Sequence, residues 1–205
     1  MILFFSALTG FILGALPLNK FILNIVKKSN PDFSYKVSEV PLVFKIVIIS
    51  VDFILGFLAA NIPVFIFYGG FYATVISIAA MLAASNYLPW KKQYNLKSIA
   101  TIEGALLLFN PVLFFAYLAM WLILLVYKRR IIFADIFTNT LVIILLITYS
   151  DIFNKNSYPS ADKDFHLMIA FIVIFLIQLS SYYLDIKFLL LASKKSLRKS
   201  ENESD

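Results

Sequence analysis

Apolar residues dominate the chain in seven runs that are separated by short polar stretches. A bilayer core of about 30 Å is crossed by a helix of about 20 apolar residues, and all of the runs except the fourth approach or exceed that length. The pattern therefore predicts an all-α bundle of membrane helices. The runs are Ile2–Val26, Pro41–Ala60, Ile62–Ala84, Ile99–Phe109, Pro111–Tyr127, Ile131–Ser150 and Phe165–Leu191.

The fourth and fifth runs are separated only by Asn110 and Pro111. Proline has no N–H to donate inside a helix, so we predict a break there rather than one long helix over Ile99–Tyr127. The fourth run is then a helix of about 16 Å at 1.5 Å per residue. Such a half-span is tolerated only where protein or a water-filled cavity surrounds it. Pro17 predicts a second break, within the first run.

The distribution of basic residues favours the broken arrangement and fixes an orientation. With the N-terminus outside, a break at Pro111 and a half-span that returns the chain to the outer side, 14 of the 18 bases face the cytoplasm. An unbroken helix would instead place Lys128, Arg129 and Arg130 outside, against the positive-inside rule. We therefore predict seven segments, N-out and C-in. The inward clusters are Lys27/Lys28/Lys36, Lys91/Lys92/Lys97, Lys128/Arg129/Arg130 and Lys187/Lys194/Lys195/Arg198/Lys199.

Composition agrees with a multi-pass membrane protein. Of 205 residues, 61% are hydrophobic and 15% are charged, and the mean hydropathy is +0.86. Too few polar residues are present to cover a water-soluble globule. We expect one membrane domain over residues 1–193, a polar cytoplasmic tail over 194–205, and a first segment that is retained as an anchor.

Composition also narrows the chemistry. The chain has no cysteine and a single histidine, His166, so disulfides, thiolate chemistry and a histidine-rich metal site are not expected. We expect no cofactor and no metal. The net charge of +6 is interpreted as a topology signal rather than as a nucleic-acid-binding surface, so the expected partner is membrane lipid.

Four carboxylates occur within or close to the apolar runs, where a charge is costly and commonly functional. Asp52 lies deepest, either as a substrate-site or cation-site carboxylate or as a structural group bonded to a neighbouring helix. Glu103 lies near the cytoplasmic entrance of the half-span. Asp135 and Asp185 lie near cytoplasmic ends, where a charge costs less, and are interpreted as interfacial.

The remaining polar candidates have simpler interpretations. Trp121 and several tyrosines are interpreted mainly as interfacial anchors, and His166 as a surface group. No Ser/His/Asp set, phosphate-binding glycine loop or metal-ligand spacing is visible.

Three short motifs follow one another along the first half of the chain: Gly14-Ala15-Leu16-Pro17, Asp52–Phe57 and Asn95–Thr101. Their order and spacing resemble the G-S-x-P, D-x-x-K-G and G-G-K-G-V-A-T motifs of the bacterial acyl-phosphate-dependent glycerol-3-phosphate acyltransferases, the PlsY family. The resemblance continues through further landmarks at the family's spacing, with Ile132 and Asp135 at the two serine positions of its S-L-A-S turn. These landmarks are Gly104, Pro111, Trp121, Lys128-Arg129 and Ala134.

The resemblance implies both a fold and an activity. The fold is a seven-helix membrane bundle, N-out and C-in, with its motifs at the cytoplasmic face. The activity is transfer of an acyl group from acyl phosphate to the 1-hydroxyl of glycerol-3-phosphate. In this chain the implied substrate-binding candidates are Lys97 and Arg129, which would neutralise phosphate charge, together with Thr101 and Asp52.

The motifs that would carry catalysis depart from the family pattern. Lys27–Lys36 stands where the family has a glycine-rich loop, yet it contains no glycine. Ala84–Leu88 replaces G-H-x-x-P, and Tyr182–Phe188 replaces H-R-x-N-I-x-R, so both histidines are missing. We therefore expect the parent activity to be reduced or lost. The alternatives are a non-catalytic membrane partner or lipid-binding paralogue and, less favoured, a small transporter.

Overall fold

The structure, a computed structural model, describes residues 1–29, 41–88 and 100–183, and the regular elements in those ranges are helices. The predicted tail over residues 194–205 lies outside the described residues. The helices are α1 (Ile2–Ala15), α2 (Leu18–Ser29), α3 (Leu42–Phe65), α4 (Phe71–Tyr87), α5 (Ala100–Phe109), α6 (Pro111–Lys128), α7 (Ile131–Lys155) and α8 (Asp164–Ser181).

Two prolines break helices where the sequence predicts. Pro17 separates α1 from α2, and Leu16 before it has the extended ψ of 122° that a following proline favours. Pro111 is the first residue of α6, a position whose N–H has no intrahelical partner. Asn110 caps that helix, because its side-chain oxygen accepts a 2.9 Å hydrogen bond from the Leu113 N–H.

Three predicted boundaries were wrong. The second segment does not end at Ala60; α3 continues through Pro63 to Phe65. Pro63 has no N–H to donate to the Ala59 carbonyl, so α3 loses one backbone hydrogen bond in its last turn and ends two residues later. The third segment consequently begins at Phe71, after a turn over residues 66–70 in which Tyr68 adopts a left-handed conformation.

The sixth segment was also predicted too short. α7 continues past Ser150 to Lys155, with a local departure from helical geometry at Tyr149. Phe153 and Asn154 are buried in this extension. The last predicted segment reached Leu191, and the part after residue 183 lies outside the described residues.

Contacts at the helix ends fix the direction in which each helix crosses the bundle. Gly10 packs on Ser77 and Gly14 on Met81, so α1 and α4 run parallel. The Tyr158 N–H donates to the Phe109 carbonyl at 2.8 Å, which places the end of α5 beside the loop after α7. The Phe71 ring at the start of α4 also lies 5.9 Å from the Phe109 ring, so the half-span returns the chain to the end at which α4 begins, as predicted from the charges.

Within the described part of the chain, five helical stretches are long and apolar enough to cross a membrane, with α1 and α2 together forming one of them. α4 and α5 are shorter apolar helices of 17 and 10 residues. The protein is therefore a multi-pass membrane bundle. Bases cluster at one end, which we call the basic end: Lys27, Lys28, Lys45, Lys128, Arg129 and Arg130.

Glycines allow two unusually close helix crossings, that of α1 with α4 and that of α3 with α5. At the crossing of α3 and α5, a Cβ on Gly56 would overlap the Thr101 carbonyl, and a Cβ on Gly104 would overlap the Phe53 carbonyl. In the lipid phase, where burial of apolar surface gives little drive for association, such small residues let backbones approach and gain packing. The half-span α5 is held inside the bundle by this contact.

Cysteine labelling tests the predicted orientation, because the natural chain contains no cysteine. Arg130 and Asn156 are exposed at opposite ends of α7. We expect Asn156→Cys to react with a membrane-impermeant maleimide in intact cells, and Arg130→Cys to react only after lysis. Labelling of Arg130→Cys in intact cells would contradict the N-out arrangement.

The α3–α5 crossing makes a second prediction. Gly104→Ala should destabilise the bundle by about 1–3 kcal/mol, because the added methyl group forces two backbones apart. Gly70→Ala is the matched control, since a Cβ there meets nothing within 4 Å. The measurement is the apparent melting temperature of the purified protein in detergent. Equal melting temperatures for the two variants would show that the crossing is looser than described.

Candidate functional site

A buried carboxylate organises the polar interior near the basic end of the bundle. Asp135, in the second turn of α7, is 2% exposed. The Trp121 indole N–H donates to its Oδ1 at 2.6 Å, and the Tyr182 hydroxyl donates to its Oδ2 at 2.9 Å. Hydrogen bonds to a charged acceptor are the strong ones in a protein interior. Asp135 thereby joins α6, α7 and the end of α8.

Further polar side chains surround this carboxylate, and we call the set the polar cluster: Glu103, Tyr117, Trp121, Asp135, Thr138, Asn139 and Tyr182. Tyr117 lies close enough to Glu103 and Asp135 for electrostatic interaction, and its hydroxyl lies near the side-chain amide of Asn139. Thr138 and Asn139 follow Asp135 by three and four residues on α7, and both are fully buried.

Several oxygen atoms of the polar cluster have no hydrogen-bond partner among the residues that the structure describes. They are Glu103 Oε1, Tyr117 OH, Thr138 Oγ1 and Asn139 Oδ1. Buried polar groups are usually paired, because leaving one unpaired costs about 1–3 kcal/mol. Thr138 and Asn139 lie one turn from Asp135 on α7, whereas Glu103 and Tyr117 approach it from α5 and α6.

The polar cluster has an acidic character. The Glu103 and Asp135 carboxylates lie close enough for their charges to interact. Within residues 1–29, 41–88 and 100–183, no basic side chain forms an ion pair with either carboxylate. These carboxylates would attract a ligand that donates hydrogen bonds and would repel a negatively charged phosphate.

Asp52 lies elsewhere, on the face of α3 that meets α2. It is 6% exposed, and the Asn19 side-chain amide donates to its two carboxylate oxygens at 3.3 and 3.4 Å. This geometry matches the structural alternative, a carboxylate bonded to a neighbouring helix. The substrate-site alternative for Asp52 stays a prediction.

The other predicted substrate residues have separate surroundings. Thr101 is buried in the first turn of α5, where its carbonyl contacts Gly56. Arg129 is exposed and ends α6 in a left-handed conformation, with φ 53° and ψ 26°. Lys97 lies outside the described residues, so its predicted convergence with Arg129 stays a prediction. Asp185 is also outside them.

Two interpretations of single residues were wrong. Asp135 is buried and bonded rather than interfacial, and the indole of Trp121 is directed to that carboxylate rather than acting only as an anchor. A signal was present in the sequence: Asp135, Thr138 and Asn139 recur at helical spacing in an otherwise apolar segment. His166 is half-buried, and its Nδ1 lies 2.7 Å from the Tyr72 hydroxyl.

Fold and site together define a membrane helix bundle with a polar interior at its basic end. A family model described as "Glycerol-3-phosphate acyltransferase" matches residues 40–190. The chain therefore belongs to the glycerol-3-phosphate acyltransferase family, as the sequence motifs indicate. No curated protein and no solved structure matches the chain significantly.

The hydrogen bonds to Asp135 make a third prediction. Tyr182→Phe should destabilise the protein by about 1.5–3 kcal/mol, because it removes a donor to a buried charge. Tyr183→Phe is the matched control, since that neighbouring tyrosine is 64% exposed. Thermal unfolding in detergent measures both. If the two variants unfold at the same temperature, the Tyr182–Asp135 bond contributes nothing to stability.

Proposed function

We propose that this protein is a diverged member of the family, located in the inner membrane, whose acylation of glycerol-3-phosphate is lost or strongly reduced. In this proposal it keeps the bundle as a non-catalytic partner of membrane lipid synthesis or as a lipid-binding protein. The observation that carries the proposal is the acidic polar cluster at the basic end. A phosphate substrate binds where positive charge and N–H donors surround it, whereas the carboxylates of Glu103 and Asp135 are negative and would repel it.

The sequence supports the same proposal. Backbone N–H groups of a glycine-rich loop approach phosphate oxygens closely, which side chains on other residues obstruct. The stretch Lys27–Lys36 has no glycine. The family match begins at residue 40 and so excludes this stretch. Loss of one preorganised donor costs about 10²–10³ in rate in well-studied enzymes, and here a whole loop and both histidines are absent.

Family membership itself favours a second candidate, a retained acyltransferase. In that case the acyl group would pass from acyl phosphate to the 1-hydroxyl of glycerol-3-phosphate, giving lysophosphatidic acid and inorganic phosphate. Lys97 and Arg129 would neutralise phosphate charge, and Thr101 would assist. With the family's histidines missing, a phosphate oxygen of the substrate would accept the hydroxyl proton.

An activity assay distinguishes the two candidates. Purified protein is supplied with a long-chain acyl phosphate and radiolabelled glycerol-3-phosphate, beside a family member with intact glycine loops as a positive control. We expect no labelled lysophosphatidic acid above background. We also expect no rescue of a strain that lacks its own acyl-phosphate-dependent acyltransferase.

The variant Lys97→Ala decides how a positive result is interpreted. Robust turnover that disappears in Lys97→Ala, at unchanged protein level, would establish the retained enzyme and refute the proposed loss. Turnover that is indifferent to Lys97 would also refute the loss, and would place the substrate site away from the residues that the family motifs indicate.

A further inference from the structure

The unpaired atoms of the polar cluster are all oxygens. Glu103 Oε1 and Asn139 Oδ1 can only accept hydrogen bonds when the carboxyl is ionised, and the hydroxyls of Tyr117 and Thr138 can also accept. Tyr117, Thr138 and Asn139 are each 0% exposed, so bulk water does not reach them. A donor that enters the cluster could satisfy all four of these oxygens at once.

The carboxyl groups and aromatic side chains of the polar cluster indicate the chemical class of that donor. The carboxyl groups of Glu103 and Asp135 lie close enough to interact, and a cation bound between them would favour the ionised form of both. Aromatic rings from Tyr117, Trp121 and Tyr182 stand around the same carboxylate. Proteins commonly bind organic cations where carboxylates and aromatic side chains occur together, and here the polar edges of Trp121 and Tyr182 are directed at Asp135.

We propose that the polar cluster is a binding site for a protonated primary amine, whose ammonium group donates to the unpaired oxygens of Glu103, Tyr117 and Asn139. An ammonium group carries one positive charge and three N–H donors, which matches one carboxylate and two neutral acceptors. A phosphate would be repelled by the two carboxylates and would leave the unpaired oxygens of Glu103 and Asn139 without a donor. A quaternary ammonium would satisfy the charge but leave the oxygens unpaired.

Trp121 provides an intrinsic reporter of this site. The chain has two tryptophans, so Trp90→Phe leaves Trp121, which is hydrogen-bonded to Asp135, as the only tryptophan, and it is excited selectively at wavelengths that tyrosine does not absorb. Ethanolamine is titrated into the purified Trp90→Phe protein in detergent, with ethylene glycol as a neutral probe of similar size and tetramethylammonium as a cation without N–H. We expect a saturable change in emission with ethanolamine alone.

The source of the amine is tested separately. The Trp90→Phe protein is placed in nanodiscs of phosphatidylethanolamine or phosphatidylcholine, and ethanolamine is titrated into each. If a lipid headgroup supplies the amine, phosphatidylethanolamine will shift the emission by itself and weaken the ethanolamine response. If the amine is a free solute, both nanodiscs will give the same response as detergent. Either result supports the amine site and identifies its ligand.

Two variants assign the binding to the proposed atoms. Glu103→Gln keeps the shape and removes the charge, and should weaken ethanolamine binding at least about tenfold, as expected for one charged hydrogen bond. Asp151→Asn, an exposed acid at the other end of α7, is the matched control and should leave binding unchanged. Tyr117→Phe should raise the melting temperature without amine, because it deletes an unpaired hydroxyl, and should also weaken binding.

Several results would overturn the inference. They are the absence of a saturable response, an equal response to ethylene glycol or tetramethylammonium, and full affinity in both Glu103→Gln and Tyr117→Phe. Tyr117→Phe keeps the test decisive if Glu103→Gln does not fold. The inference goes beyond the proposed function and does not depend on it: glycerol-3-phosphate turnover together with intact ethanolamine binding would refute the loss of activity alone.

Discussion

The ten-residue helix α5 must be surrounded by the other helices, and this requirement determines how they pack. A helix of about 15 Å cannot span the hydrocarbon core, and its end groups find no water there. The crossing on α3 at Gly56 and Gly104 encloses one side of it. Asn110 follows the far end of α5, and its side-chain oxygen caps α6. Its side-chain N–H donates to the Phe153 carbonyl at 2.8 Å, so the α5–α6 junction is held against the end of α7.

Enclosure of α5 also explains why polar groups accumulate beside it. A half-span brings its first turn, with Glu103, to the depth at which α6 and α7 carry Tyr117 and Asp135. The Trp121 and Tyr182 donors stabilise the Asp135 carboxylate, whereas the oxygens around it stay unpaired. A cluster that was purely structural would be expected to pair internally, since partly satisfied polar networks are less stable than apolar packing. The unpaired atoms therefore indicate that a ligand completes the cluster.

Most of the fold could be predicted from the sequence, because a few physical signals act locally. The lengths of the apolar runs predict the helices, and Pro17 and Pro111 predict the breaks between them. The basic clusters indicate which ends of the helices lie on the same side of the membrane. The boundary after Ala60 could not be predicted, since a proline in the last turn of a helix resembles a helix start in sequence. The burial of Asp135 depends on Tyr182, 47 residues away, and a contact of that kind has no local signal.

The retained landmarks and the altered motifs have different physical roles, which is why family membership does not decide the activity. Gly104 and Pro111 serve helix packing and the half-span, so any protein with this bundle must keep them whatever it binds. The charge that the polar cluster needs is determined by its ligand and not by the fold. At an effective dielectric constant of about 20, two unit charges about 6 Å apart interact by roughly 3 kcal/mol. One carboxylate therefore separates an ammonium from a singly charged phosphate by about 6 kcal/mol, or about four powers of ten in affinity. A difference of that size changes the class of ligand without moving a helix, so a family fold can persist around a site that binds a cation.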